Sequence, residues 1–366
     1  MDEKKLLIFM PSVEDGGVEK NFYLVSNYLG TKLKNVSVIT ANRSIKNNLN
    51  RKIKLIGPKS TIWNTNSRYP KYLICLIYLF SFLLCNRNTL ILSFQANAYA
   101  SLLAKIFGTK IITRSNSSSE GWSKNSIKKF LYKIFLKLPD QIIVNSYQFK
   151  KELDNKFKTK ALVIYNPLNK NEVIQKSKEK VSLNFFKGKF TKIITIGRLV
   201  DQKDHLTMLK AINLIKNNNI KLLIIGVGQN KSILAKYINE KKLSSKIKIL
   251  PFKKNPYKYL KLSDIFLFTS VFEGLPNVLL EAQCLKKFII STNCPTGPKE
   301  ILLNGKAGDI VPMQDYKKIS KRIKSYDIKK KSYKKKILLG YTNLDRFNYN
   351  YNMQKYLKVI KKFIYL

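Results

Sequence analysis

The chain is predicted to be an α/β protein made of two doubly wound domains. Its 366 residues exceed what one hydrophobic core usually organises. Short apolar, β-prone runs alternate with helical stretches on both sides of residue 170, as in a parallel sheet covered by helices. Two of those runs end at glycine and lead towards a helix, at the carboxyl edge where open α/β sheets bind ligands. No repeat accompanies this loose duplication.

From the N-terminus, the charged start Met1–Lys5 leads directly into a strand, Lys5–Met10, rather than into the apolar core of a signal peptide. Asp15-Gly16-Gly17-Val18-Glu19-Lys20 follows, its paired glycines marking a turn. Tyr72–Leu84 is almost wholly apolar but only thirteen residues long. A spanning helix needs about 20, so this is a core helix or an interfacial one. The strand Ile111–Thr113 runs into Arg114-Ser115-Asn116. Ser126–Lys137 mixes lysine with apolar and aromatic residues, which fits a helix lying on an anionic membrane or a buried helix with a basic outer face. Asn166-Pro167 and the Lys/Glu/Ser-rich segment 169–180 mark a hinge.

In the second half, the strand Lys192–Ile196 ends at Gly197-Arg198-Leu199. Gln202-Lys203-Asp204-His205 and an amphipathic helix, Leu206–Lys216, come next. Arg198 at the strand end and Lys203 at the helix start should converge outside the sheet's carboxyl edge. A planar guanidinium grips phosphate oxygens bidentately and an ammonium adds a point charge, so the pair suits a diphosphate. The strand Lys221–Ile225 ends at Gly226-Val227-Gly228, and Ile249-Leu250-Pro251-Phe252 reads as a strand stopped by proline. Asp264–Ser270 is a buried strand, followed by Glu273-Gly274-Leu275-Pro276-Asn277-Val278-Leu279-Leu280-Glu281. Gly274 permits a close backbone approach and Pro276 suits the first helical position. The helix start offers an anion site at the loop carrying Glu273, and Glu281 should lie about two turns inside the helix. Asn293-Cys294-Pro295-Thr296-Gly297-Pro298-Lys299-Glu300-Ile301 is a further loop, and Phe347–Leu366 ends the chain as a helix.

The Phe272–Asn277 string with Glu281-Ala282, the Gly-Arg-Leu…Gln-Lys frame and the three loops between and after them resemble, in order, the motifs of the family 4 retaining glycosyltransferases. The resemblance is specific from about residue 191 to residue 312 and loose before that. It implies the GT-B fold, two Rossmann-like domains facing across a cleft: an acceptor-side domain over 1–168, a linker over 169–190, a nucleotide-sugar domain over 191–346, and a helix, 347–366, returning to the first domain. The activity implied is transfer of a hexose or N-acetylhexosamine, with retention, from a UDP-linked donor. The implied acceptor is a glycan or a lipid-linked glycan in lipopolysaccharide, O-antigen or polyprenol-linked assembly. Glu273, Arg198 and Lys203 then take catalytic roles, with Glu281 on the ribose hydroxyls. Gly16, Gly17, Gly197, Phe252, Gly274, Leu275, Pro276, Asn277 and Val278 bind the donor. Many relatives carry a histidine near the reacting sugar; here Arg114 and Asn116 stand in that region and are the acceptor-side candidates.

The only histidine in the chain is His205, so Ser–His–Asp and His–Asp hydrolytic schemes are excluded. Cys75, Cys85, Cys284 and Cys294 have no Cys-x-x-Cys or metal spacing and suit free thiols in a reducing cytoplasm. No Asp-x-Asp triad offers a metal site, and no cofactor is expected. The net charge of +47 goes with abundant lysine, asparagine and isoleucine, the signature of an A/T-rich genome. It still creates a field that favours anionic partners, a membrane surface among them. The rival readings are a non-catalytic GT-B scaffold subunit, a related epimerase or phosphorylase, and a basic nucleic-acid-binding protein. The last lacks any aromatic–basic interleaving or recognisable motif.

Overall fold

Each short, β-prone apolar run named above folds as a strand of one of two parallel sheets, and the helices between them cover the faces. The computed structural model describes residues 4–14, 16–63, 67–116, 126–216, 219–328 and 330–365, with the backbone alone for 61, 126–130, 327 and 330. The described chain clusters into two units, 1–167 with 349–366, and 168–348.

The first unit runs β1 (Lys5–Phe9), α1 (Gly17–Lys32), β2 (Val36–Ile39), β3 (Lys54–Ile56), α2 (Arg68–Cys85), β4 (Thr89–Ser93), α3 (Asn97–Ile106), β5 (Lys110–Ser115), α4 (Ser126–Phe135), β6 (Gln141–Val144), α5 (Tyr147–Phe157) and β7 (Leu162–Val163). Its described strands lie in the order β3-β2-β1-β4-β5-β6-β7. Alternate residues of β1 serve opposite faces. Leu6 and Ile8 pack with Phe22, Val25 and Leu29 of α1, while Leu7 and Phe9 pack with Cys75, Leu79 and Leu83 of α2. A strand buried on both faces reads as one continuous apolar run, which makes these strands legible in the sequence.

The second unit runs α6 (Lys170–Ser177), β8 (Thr191–Ile196), α7 (His205–Asn213), β9 (Ile220–Ile225), α8 (Lys231–Glu240), β10 (Ile247–Leu250), α9 (Tyr257–Lys261), β11 (Ile265–Phe268), α10 (Asn277–Cys284), β12 (Phe288–Thr292), α11 (Pro298–Ile301), β13 (Asp309–Val311), α12 (Tyr316–Ile328) and α13 (Lys334–Thr342). Its described strands lie in the order β10-β9-β8-β11-β12-β13. The last helix, α14 (Tyr349–Ile364), belongs to the first unit, where Met353, Tyr356 and Ile360 enter the core.

The segment 169–190, expected as a linker, differs. Asn169 caps α6 by accepting from the Glu172 amide at 3.1 Å, and Val173 is buried. The carbonyl of Lys176 accepts from Asn255 at 2.8 Å. Its Lys/Glu/Ser composition resembles a linker because only one face of so short a helix needs to be apolar.

Candidate active site

In the second unit β8 lies between β9 and β11. The chain winds from β8 to β10 on one side and from β11 to β13 on the other, so the strand order reverses between β8 and β11. A crevice opens outside the carboxyl ends of two such strands. The loop after β8 carries Gly197, Arg198 and Lys203, and the loop after β11 carries Glu273 to Pro276. Across the reversal Lys203 Nζ donates to Glu273 Oε1 at 2.5 Å. Only 17% of the lysine side chain and 11% of the glutamate side chain reach solvent. The ammonium also stands 5.3 Å from the centre of the Phe268 ring. In so dry a place each charge depends on the other.

The two loops are tied by backbone and short polar side chains. Val271 N donates to Gln202 O at 2.9 Å, and Gln202 Nε2 donates to Phe272 O at 2.9 Å. Thr269 Oγ1 lies 2.9 Å from the carbonyls of both Lys203 and Asp204. Arg198 is exposed in the same loop as Lys203 and makes no ion pair among the described residues. Gly226 and Gly228 explain how its loop is held. A Cβ on Gly226 would fall 1.9 Å from the Gly197 carbonyl oxygen. One on Gly228, at φ +156°, would fall 2.3 Å from that of Leu199. Leu199 N donates to Val227 O at 2.8 Å. The Gly-x-Gly therefore serves a close packing of backbone on backbone that sets the position of Arg198. Phe252 stands half exposed after β10, on the same edge of the sheet.

Pro276 occupies the N-cap of α10 rather than its first helical position, and no side chain caps that end. The positive end of the helix faces the Glu273–Pro276 loop. Glu281 lies four residues past Asn277, little more than one turn inside rather than two. It is buried, and Tyr257 Oη donates to its Oε1 at 3.0 Å. Gly274, Leu275 and Pro276 are buried, with Asn277 and Val278 partly exposed. The Asn293–Ile301 string braces this loop: Glu273 N donates to Pro295 O at 2.7 Å, and Thr296 Oγ1 donates to Gly274 O at 2.9 Å. Tyr257, Phe268 and Thr269 are absent from the sequence-predicted site. None stands in a spacing that signals chemistry; each matters through what it touches.

The first-unit candidates lie elsewhere. Gly16 is the N-cap of α1 and Gly17 its first residue, with the Glu19 carboxylate close above Gly16. Arg114 is completely buried in β5. Its guanidinium donates to Asn116 Oδ1 at 2.8 Å and Asn166 Oδ1 at 2.5 Å, with the Phe94 and Tyr356 rings 5.6 and 6.0 Å away. Asn116, at the strand end, is the part of this cluster with solvent access.

Burial, with Lys203 adding repulsion, holds the His205 imidazole down to about 4, and burial pushes the Cys294 thiol up to about 12. At pH 7 the imidazole is unprotonated, buried and only weakly basic, and the thiol stays protonated, so His205 offers no effective base and Cys294 no thiolate. The His205 shift has a sign. Its folded value lies below the ordinary 6.5, so the unfolded chain binds the proton more tightly. Stability should be full above pH 6.5 and fall as pH drops towards 4, by about 2 kcal/mol at pH 5. Urea unfolding of wild type and His205→Gln across this range checks it: the variant should lose that part of the slope. An unchanged slope would mean that His205 is protonated in the folded protein.

Residues 176–337 match the family model for glycosyl transferases group 1. The chain is 37% identical over 217 residues to the uncharacterized glycosyltransferase MJ1059 of Methanocaldococcus jannaschii, covering 55% of this chain and 53% of that protein. It is 30% identical over 272 residues to the N-acetylgalactosamine-N,N'-diacetylbacillosaminyl-diphospho-undecaprenol 4-alpha-N-acetylgalactosaminyltransferase of Campylobacter jejuni, covering 71% of this chain and 73% of that protein. In fold it is similar to Anabaena HepE in complex with UDP-glucose, with a TM-score of 0.80 at 14% identity over 98% of this chain and 100% of that one.

Proposed function

As the chain belongs to the group 1 glycosyl transferases, with the two Rossmann-like units of the GT-B class, we propose that it is an active retaining enzyme that moves a hexose or N-acetylhexosamine from a UDP-linked donor to a lipid-linked glycan. The setting is assembly of a cell-surface polysaccharide. The observation that carries this reading is the Lys203–Glu273 pair across the strand-order reversal, with exposed Arg198 in the same loop as Lys203.

A diphosphate entering there meets two cations and the positive end of α10, and it displaces Glu273 from Lys203 towards the sugar hydroxyls. The bond from the anomeric carbon to the leaving phosphate oxygen breaks, and its electron pair goes to the phosphate. The acceptor oxygen bonds to that carbon from the same face, and its proton passes to the departing phosphate. No histidine is needed. Glu273 stabilises the positive sugar, Glu281 accepts from the ribose hydroxyls, and Asn116 with the Gly16–Gly17 turn serves the acceptor side. The UDP-glucose bound to HepE and the diphospho-undecaprenol in the Campylobacter relative's name support the two substrate classes. With a lipid-linked acceptor the protein works as a peripheral protein at the inner face of the plasma membrane.

A thermal-shift series with UDP, GDP and ADP tests the donor class. The matching nucleotide at a hundred times its Kd should stabilise by about 2.7 kcal/mol. Donor turnover should persist in EDTA, because Arg198, Lys203 and α10 neutralise the leaving group. No shift with any nucleotide overturns the enzyme reading; activity lost in EDTA and restored by magnesium overturns the metal-free mechanism.

A further inference from the structure

Resting on the membrane attachment proposed above, we infer that the outer faces of α2 and α3, with the end of α4, dock the protein onto an anionic bilayer by inserting apolar side chains. The two faces of α2 are both apolar, and only one is covered. Cys75, Leu79 and Leu83 enter the core beneath the sheet. On the opposite side Tyr69, Leu73, Ile77, Phe80 and Leu84 follow at spacings of three and four and are 45–82% exposed. No charged residue occurs in α2 after Lys71. A helix facing water ordinarily carries its charge on that side.

The surface continues beyond α2. On α3, Tyr99, Leu102 and Ile106 are exposed, and the Phe80 and Phe107 rings, 5.3 Å apart, join the two helices. Leu131 and Ile134 of α4 are exposed as well. α3 packs against α2 on one side and α4 on the other, so the three helices share one surface. A contiguous apolar surface of this kind marks an interaction site.

Charge decides the occupant. Between Glu19 and Glu120 the sequence contains no Asp or Glu at all, only Lys and Arg among its charges. Arg87, Lys105 and Lys110 are exposed at the ends of α2 and α3 and the start of β5. The carboxylate of Asp140, 3.1 Å from Lys110 and 3.7 Å from Lys105, lies at the edge of this group. An apolar face with a basic rim matches a bilayer of anionic head groups over hydrocarbon. A second copy of this chain would set lysine against lysine. Although α2 has the length and hydropathy of a spanning helix, its Cys75–Leu79–Leu83 face is packed on the sheet, so it lies flat in the interface. Attachment thus moves from Ser126–Lys137 and the overall positive charge to apolar insertion through α2 and α3. The side chains of 126–130 lie outside the described residues.

Salt separates the two modes, because it screens charge and leaves apolar insertion intact. The full chain should bind vesicles of phosphatidylcholine with phosphatidylglycerol in about 0.1 M salt and stay partly bound in about 1 M. Leu73→Gln/Ile77→Gln/Leu102→Gln should weaken binding by about tenfold or more in both, with the UDP thermal shift unchanged. Ile106→Gln alone, at a side chain in a residue 66% exposed, gives a second, milder variant that should weaken binding severalfold. Variants that bind as wild type does overturn this surface and leave peripheral attachment standing. A wild type that ignores every vesicle overturns both. Self-association in sedimentation that the same substitutions abolish assigns the face to a second copy and overturns the proposal.

Discussion

Lys203→Ala should cost about a thousandfold in kcat/KM and about 3 kcal/mol of folding stability together. In the proposed donor site the catalytic loss would come from removing a charge-assisted contact to the diphosphate, about 1.5–3 kcal/mol, and from leaving Glu273 unable to exchange partners as donor enters. The stability loss has a separate cause. Glu273 is 8% exposed, and without the ammonium 2.5 Å away it is a buried carboxylate with its cation removed. Lys203→Ala/Glu273→Gln should recover most of the stability and none of the turnover. Kinetics beside urea unfolding reads both. A single variant within fivefold of wild type in kcat/KM removes the pair from the donor site, and a double variant as unstable as the single one removes the ion-pair explanation.

If Glu273 holds the sugar and Glu281 the ribose, as proposed, the two glutamates should divide nucleotide binding from chemistry. Glu273→Gln should keep UDP affinity within about threefold and lower kcat by about a hundredfold or more, since its contact to the sugar strengthens as positive charge develops. Glu281→Gln should weaken UDP itself by about ten- to a hundredfold, because it loses the charged acceptor for the ribose and weakens the hold of Tyr257 Oη, 3.0 Å away. Isothermal titration with free UDP, run beside transfer kinetics, separates the outcomes. Equal losses of UDP affinity in both variants, or full turnover in Glu273→Gln, would reverse the assignment.

The sequence by itself determined what local periodicity and end signals can carry. The continuous apolar runs of β1, β8, β9 and β11 are strands because both their faces are buried. The residues that follow them fall on one edge of each sheet, because the strands pair in parallel. Arg198, Lys203, Phe252 and Glu273 therefore share a rim for reasons that local pattern alone supplies.

The order of strands within the sheet was beyond it. Lys203 and Glu273 are 70 residues apart, and they pair only because β8 and β11 are neighbours. Nothing in either loop encodes that adjacency; it follows from how helices and strands pack together. The same holds for Gly226 and Gly228, which read as a turn and serve a backbone contact with Gly197 and Leu199. Arg114, named from the sequence as an acceptor-side candidate, is enclosed by Asn116, Asn166 and α14. In α2, periodicity could not tell which apolar face meets the core, since both are apolar and only packing against β1 and β4 chooses between them. Local pattern specifies elements and their ends; which ends meet, and which face is left to the surroundings, is settled when distant segments compete for the same buried space.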